Sequence, residues 1–299
     1  MIACFDIGGS AVKYAAADAA GTLGPVRRVP TPLHDFDAFT DTLAVLAASA
    51  PAHGVAISLA GVIDPEDGRI QCANIPCIHG RTLAADLAAR LKLPVWIVND
   101  ADSFALAEAR AGAGRGHRQV FGLILGTGVG GGIVIDGQLL TGPGGFAGEW
   151  GHGPAAAHFA GEAMTAIPRF ACGCGQSGCL DTVGGARGIE RLHLALHGAS
   201  ADSVAIVSAW QAGDTRAART VDCWADLLAG PLAMLVNTIG ASILPVGGGL
   251  ANSRALVALL DARVRARILR KTGAPLLVPA GCTVEPGLIG AAWLGLSSA

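Results

Sequence analysis

Residues 120–135 read V-F-G-L-I-L-G-T-G-V-G-G-G-I-V-I, an apolar run, a Gly-Thr-Gly turn and a second apolar run. A turn of this kind gathers backbone N–H groups at one point, which is how glycine loops hold phosphate oxygens. A dinucleotide-binding loop would need a helix directly after its glycines, but Ile133, Val134 and Ile135 favour a strand. The stretch therefore predicts a β-turn-β phosphate loop whose candidate contacts are Gly126, Thr127, Gly128, Val129, Gly130, Gly131 and Gly132.

The device occurs twice. The chain begins M-I-A-C-F-D-I-G-G-S, a strand over residues 2–7 that carries Asp6 near its end, a turn at Gly8, Gly9 and Ser10, and a second strand over 12–16. An aspartate at such a strand end is placed to act through a hydrated Mg²⁺. Two such loops, each opening one half of the chain, predict a duplicated α/β architecture that grips a nucleotide between its halves. The expected domains are residues 1–118, small and N-terminal, and residues 119–299, with the last helix able to pack back on the first domain.

Between the loops the pattern predicts a helix over 36–49, a strand over 54–59 ending in Ala60-Gly61, a polar turn over 64–71 with Asp67-Gly68 at its tip, and a helix over 83–91. A strand over 95–98 then delivers Asn99 and Asp100 at its carboxyl end, before a helix running to about Ala111. Polar residues at that edge line the ligand crevice of an α/β fold. Asp100 also suits a helix N-cap, yet N-D-A-D holds more acid and amide than one cap requires. The second half continues with helices over 203–211, 216–239 and 254–269, strands over 242–246 and 276–278, a triple-glycine turn at 247–249 and a final helix over 287–296. Arg263, Arg267, Arg270 and Lys271 read as a solvated face complementing the dipole of their helix.

The stretch 142–181 contains G-E-W-G-H and then C-G-C-G-Q-S-G-C-L-D. Cys172, Cys174 and Cys179, with His152 upstream, make a complete tetrahedral set for Zn²⁺. Four protein ligands leave no open position, so the zinc is expected to be structural and to fix Glu149, three residues before His152, beside a pocket.

The chain has 299 residues, 52% of them hydrophobic, enough to bury a large core in one or two domains. A net charge of −2 gives no electrostatic footprint for nucleic acid. The apolar stretch 227–253 is broken by Pro231, Gly240, Pro245 and three consecutive glycines, so it reads as a buried helix, a turn and a strand, not as a membrane span. Asp6 interrupts any signal-like apolar run, and eight cysteines without a disulfide pattern suit a reducing cytoplasm.

The motifs D-I-G-G-S, A-N-I-P, V-N-D-A-D, L-G-T-G-V-G-G-G, G-G-F-A-G-E-W-G-H, C-G-C-G-Q-S-G-C-L-D and G-L-I-G-A-A, in this order, resemble the ROK sugar kinases throughout the chain. The resemblance implies the actin-like ATPase (ribonuclease H-like) fold, two α/β domains with a nucleotide and sugar cleft between them, and a homodimer. It implies Asp100 as catalytic base, with Gly61, Asn74, Asn99, Glu149, His152 and Asp181 matching sugar-contacting positions and Gly248 and Gly249 joining the two loops in binding ATP. It also assigns His152, Cys172, Cys174 and Cys179 to zinc. The implied reaction is ATP-dependent, Mg²⁺-assisted phosphorylation of a hexose at its 6-hydroxyl. F-D-I-G-G, R-V-P-T-P and N-D-A-D-S-F-A-L-A-E-A are most similar to members acting on N-acetylglucosamine. Glucose, N-acetylmannosamine and other hexoses are the alternative substrates. A sugar-responsive repressor of the family would carry a DNA-binding segment ahead of Asp6, where five residues stand, and a non-catalytic sugar-binding regulator would not need Asp100 with both loops.

Three positions depart from the family pattern. Ser10 replaces Thr and keeps the hydroxyl. Asp102 stands where Asn is usual, and if it lies close to Asp100 in poor solvation, like-charge repulsion is expected to raise the proton affinity of one of them. Asp181 stands where Glu is common and, one methylene shorter, is expected to lose a direct sugar contact or make it through water.

Overall fold

The computed structural model describes residues 1–64 and 67–298. Contacts divide the chain into two units, residues 1–115, 132–147 and 282–299 forming the first and residues 116–131 and 148–281 the second. This division differs from a cut at 118/119 in giving residues 132–147 to the first unit, and it groups the C-terminal segment with the first unit, as the expectation for the last helix allowed.

The first unit is built on a sheet in the order Arg27–Pro30, Ala11–Ala17, Ile2–Ile7, Gly54–Leu59, Val95–Asn99. The glycine turn after Ile7 makes the first two strands of the chain antiparallel, while Ile2–Ile7, Gly54–Leu59 and Val95–Asn99 run parallel. Parallel strands are covered on both faces, and every residue of Gly54–Leu59 is buried accordingly. Alternation along Ile2–Ile7 sends Ala3, Phe5 and Ile7 into a core closed by the helices Phe36–Ala47 and Leu83–Leu91. Ile2 and Cys4 face Leu288, Ala291 and Ala292 of the helix Pro286–Ser298. The strands expected over 2–7 and 54–59 and the helix over 83–91 have those bounds in the structure. The polar turn expected over 64–71 falls partly on residues 65 and 66, which lie outside the described residues.

Register brings the functional ends together. Ile7 pairs with Leu59, and Leu59 with Asn99, so the glycine turn after Asp6, the Ala60-Gly61 step and the Asn99-Asp100 step leave the sheet at one edge. Behind that edge the helix Pro286–Ser298 meets the helix Asp100–Ala111 at glycines. A Cβ on Gly290 would lie 2.0 Å from the backbone oxygen of Ser103, and Ser103 Oγ donates to Gly287 O at 3.0 Å. Gly290→Ala should therefore force the helices apart and cost about 3 kcal/mol. A urea titration checks this, the midpoint falling with the slope unchanged.

In the second unit Gln119–Leu125, Leu244–Gly247 and Leu277–Pro279 run parallel, with the start of Val129–Ile135 beyond Gln119–Leu125. Gly247 is in register with Ile124, so residues 126–129 and 247–249 emerge side by side. Gly248 has φ +89°, and a Cβ there would lie 2.4 Å from Leu125 C, which only glycine avoids. The apolar stretch around residue 231 lies in the helix Thr215–Ile239, which Gly240 ends in the left-handed conformation. No helix among the described residues is long and apolar enough to cross a membrane.

Two sequence expectations change in this unit. The helix Ala186–His197 has no counterpart in the sequence reading, because Gly184, Gly185 and Gly188 around its start resemble a loop. The expected solvated basic face is partly committed to packing. Arg263 Nη2 bonds Asp222 Oδ1 at 2.5 Å and Arg267 bonds Asp226, which ties Arg254–Arg267 to Thr215–Ile239. Spacing along one helix cannot reveal the acids that a second helix places opposite.

Candidate active site

Asn99, not Asp100, is the N-cap of the helix Asp100–Ala111. Asn99 Oδ1 accepts from Ala101 N at 2.8 Å, and Nδ2 donates to Gly61 O at 3.2 Å. The Asn99 carboxamide thus keeps one N–H and one lone pair for a ligand. Asp100 Oδ1 also accepts from Ala101 N, at 2.9 Å. Asp100 is open to solvent on one side but crowded by protein, which pushes its carboxyl above the usual carboxylate range, and the negative charge of Asp6 adds to the rise. Asp6 supplies a like charge to Asp100 that the sequence did not reveal. Asp102 is buried and faces Gly132, where an added Cβ would meet its Oδ1 at 2.8 Å.

Asp6 is itself raised, by burial first and by Glu285, while Lys13 opposes the shift. Lys13 Nζ lies 3.2 Å from Asp6 Oδ2 and 2.8 Å from Glu285 Oε2. The sequence reading did not single out Lys13, although a hairpin folded about Gly8-Gly9 places residues 6 and 13 opposite each other, as the register confirms. Asn74 packs beside the same turn, its backbone oxygen 3.2 Å from the Cβ position of Gly9. Thr31 Oγ1 donates to Gly8 O at 2.6 Å and fixes the turn, another contact that the sequence did not reveal. Three carboxylates, Asp6, Asp100 and Glu285, lie in this region, oxygen donors of the kind that suits a hard divalent cation such as Mg²⁺, with the Lys13 ammonium paired to Asp6 and Glu285. A pocket of about 220 Å³ in the same unit is lined by Gly61, Val62, Ile63, Asn99, Asp102 and Thr141 among others.

In the second unit the four expected metal donors converge, all their ligand atoms lying within 4.8 Å of one another. A tetrahedral zinc with Zn–S of about 2.3 Å and Zn–N of about 2.0 Å sets edges of about 3.8 Å between sulfurs and about 3.6 Å between sulfur and nitrogen. Cys174 Sγ to Cys179 Sγ is 3.7 Å, and Cys172 Sγ to His152 Nδ1 is 3.6 Å, so the donors fit that ion. The Gln176 N–H lowers the Cys174 thiol to about 7, whereas burial pushes Cys172 up to about 11. With Nδ1 toward the sulfurs, His152 Nε2 lies 3.8 Å from Glu149 Oε2, so one imidazole joins the cluster to that carboxylate.

Trp150, which the sequence reading passed over, holds this segment to the second glycine loop. Its Nε1 donates to Gly130 O at 3.0 Å and its ring meets Phe121 edge-on. Asp181 does not stand apart from that loop either, because its Oδ1 accepts from Val129 N at 3.0 Å. Beside Gly249 a cavity of about 610 Å³ is lined by Ala186, Ser203, Val207, Gln211, Asn252 and Arg254 among others.

The model of the ROK family matches residues 2–297. The N-acetylgalactosamine kinase of Shewanella sp. strain ANA-3 is 37% identical over 295 residues, covering 97% of this chain and 95% of its own. The N-acetyl-D-glucosamine kinase of Salmonella paratyphi C is 36% identical over 302 residues, covering 98% of each chain. Among solved structures the ROK hexokinase from Thermus thermophilus superposes with a TM-score of 0.85 at 29% identity, covering 100% of this chain and 99% of the other. A match over nearly every residue, together with a fold shared end to end, establishes that the chain belongs to the ROK family and is a sugar kinase of the actin-like ATPase fold.

Proposed function

We propose that this sugar kinase transfers the γ-phosphoryl group of ATP to the 6-hydroxyl of N-acetylglucosamine, with Asp100 as the base. The observation that carries the reading is the common edge of the first unit, where Asp6 with its glycine turn, Gly61, Asn99 and Asp100 leave three parallel strands in register. A carboxylate raised by burial and by Asp6 is a stronger base than a free aspartate, and it serves at the pH where it is ionised. Asp100 accepts the proton of the attacking hydroxyl, and that oxygen forms the new bond to phosphorus as the bond to ADP breaks. Mg²⁺ bound at Asp6 would supply charge neutralisation on the transferring group. Gly8, Gly9 and Ser10 in the first unit and residues 126–128 in the second contribute backbone dipoles to the phosphates, and the cavity beside Gly249 has the size of a nucleoside pocket. Asn74 and Asn99 order ring hydroxyls, a role that the family resemblance also gives to Glu149 and His152, which a metal at the four-donor cluster would hold in place.

The two most similar relatives named here both act, by their names, on N-acetylated hexosamines. Those sugars share the 2-acetamido group and differ at C4, so N-acetylgalactosamine is the second reading. Coupled ADP release over N-acetylglucosamine, N-acetylgalactosamine, N-acetylmannosamine and glucose decides between them. The expected result is the highest kcat/KM for N-acetylglucosamine, with glucose lower by tenfold or more, about what the loss of one substituent's contacts costs. A preference for glucose, or no turnover with any of the four, removes the proposal.

A further inference from the structure

Asp181 matches a position that the family pattern gives to the sugar, yet its carboxylate in this chain is bound to the glycine loop. Asp181 opens the one-turn helix Asp181–Gly184, two residues after Cys179, and its N–H donates to Gly151 O at 2.9 Å. Its Oδ1 accepts from Val129 N, and a Cβ on Gly128 would lie only 2.1 Å from that oxygen. The residues that follow hold the rest of the loop. Ala186 N donates to Gly126 O at 2.8 Å and Arg187 N to Thr127 O at 3.2 Å. In a trans peptide the N–H points away from its carbonyl. Turning the carbonyls of Gly126 and Thr127 toward the helix Ala186–His197 therefore turns the Thr127 and Gly128 N–H groups to the opposite side, and it keeps carbonyl oxygens away from any anion there. Val129 N–H is not one of the phosphate donors, because Asp181 takes it. A glutamate would carry its carboxylate one methylene further along, so the shorter side chain is what the contact with Val129 uses.

We infer that Asp181 is a positioning residue for the nucleotide, its carboxylate fixing the loop 126–129 in the conformation that presents N–H groups to the phosphates. The inference rests on the reading of that loop as the ATP loop. It links the Cys179 end of the metal cluster to nucleotide affinity, so the cluster serves both substrates.

The experiment measures Mg·ADP binding by calorimetry, the KM for ATP and for the sugar, and amide exchange at Val129, in the wild type, Asp181→Leu, Asp181→Asn and Gly128→Ala. Asp181→Leu removes the acceptor and should weaken ADP binding and raise the KM for ATP about tenfold or more, the range for a hydrogen bond to a charged group. Val129 exchange should speed up in step, while sugar affinity measured without nucleotide changes less than about threefold, within the spread of indirect effects. Asp181→Asn keeps a carbonyl oxygen for Val129 and should recover most of the loss. Gly128→Ala, which leaves Asp181 in the chain but pushes its carboxylate off Val129, should reproduce the Asp181→Leu result and guards against a leucine variant that fails to fold. Sugar affinity falling with ADP affinity and Val129 exchange unchanged overturns the inference and makes Asp181 a sugar ligand. A wild type that binds ADP no better than Asp181→Leu overturns it alone, whereas a wild type that binds no ADP at all overturns the kinase reading with it.

Discussion

Asp100→Asn should lower kcat about a thousandfold, the usual range for losing a general base, while the dissociation constant for the sugar stays within a few fold. Asparagine keeps the side-chain oxygen that accepts from Ala101 N, so the start of the helix is preserved and only proton acceptance is lost. The same variant should be more stable than the wild type at neutral pH. Asp100 in the folded chain is raised above its unfolded value by burial and by Asp6. A raised carboxyl contributes stability that is present below the unfolded pKa and is lost as pH rises through the folded pKa. At neutral pH the wild type carries that loss in full and Asp100→Asn does not, so thermal unfolding should shift upward as activity disappears. The two measurements separate a catalytic carboxylate from a structural one, whose removal would lower both. In the wild type the acidic limb of kcat/KM should lie above the usual carboxylate range, because the base works only when ionised. Retained turnover in Asp100→Asn would remove it as the base.

The second large effect concerns the four-donor cluster. Purified protein should hold about one zinc per chain, and Cys179→Ser should hold almost none, since a structural site of three ligands loses most of its affinity. Cys179 is fully buried, and the chain immediately after it is bonded to Gly151 and Val129, so loss of the metal should propagate to both substrate regions. A structural zinc contributes several kcal/mol at least, which in a chain of this size lowers Tm by about 10 °C or more. Glu149 and His152 would lose their anchor, with kcat/KM falling about a hundredfold. Metal analysis, calorimetry and the ADP-release assay check these together. A metal-free chain with unchanged Tm and activity would sink the zinc assignment.

Much of this was legible because glycine and metal ligands have local reasons for their spacing. G-T-G between two β-formers, and C-G-C followed by a cysteine after a glycine, restrict the backbone within a few residues. The sequence alone therefore determined both glycine loops, the donor set and the delivery of Asn99 and Asp100 at a strand end. What only the tertiary structure decided is which neighbour each polar group meets. Asn99 takes the cap that Asp100 could have held, Asp6 adds its charge to the field at Asp100, and Asp181 bonds the glycine loop. Arg263 and Arg267 find acids on another helix. The physical reason is distance along the chain. Turn chemistry and the cysteine spacing act within ten residues or so, whereas Asp181 and Val129 are 52 positions apart, and a hydrogen bond between them exists only once register and packing have fixed both backbones.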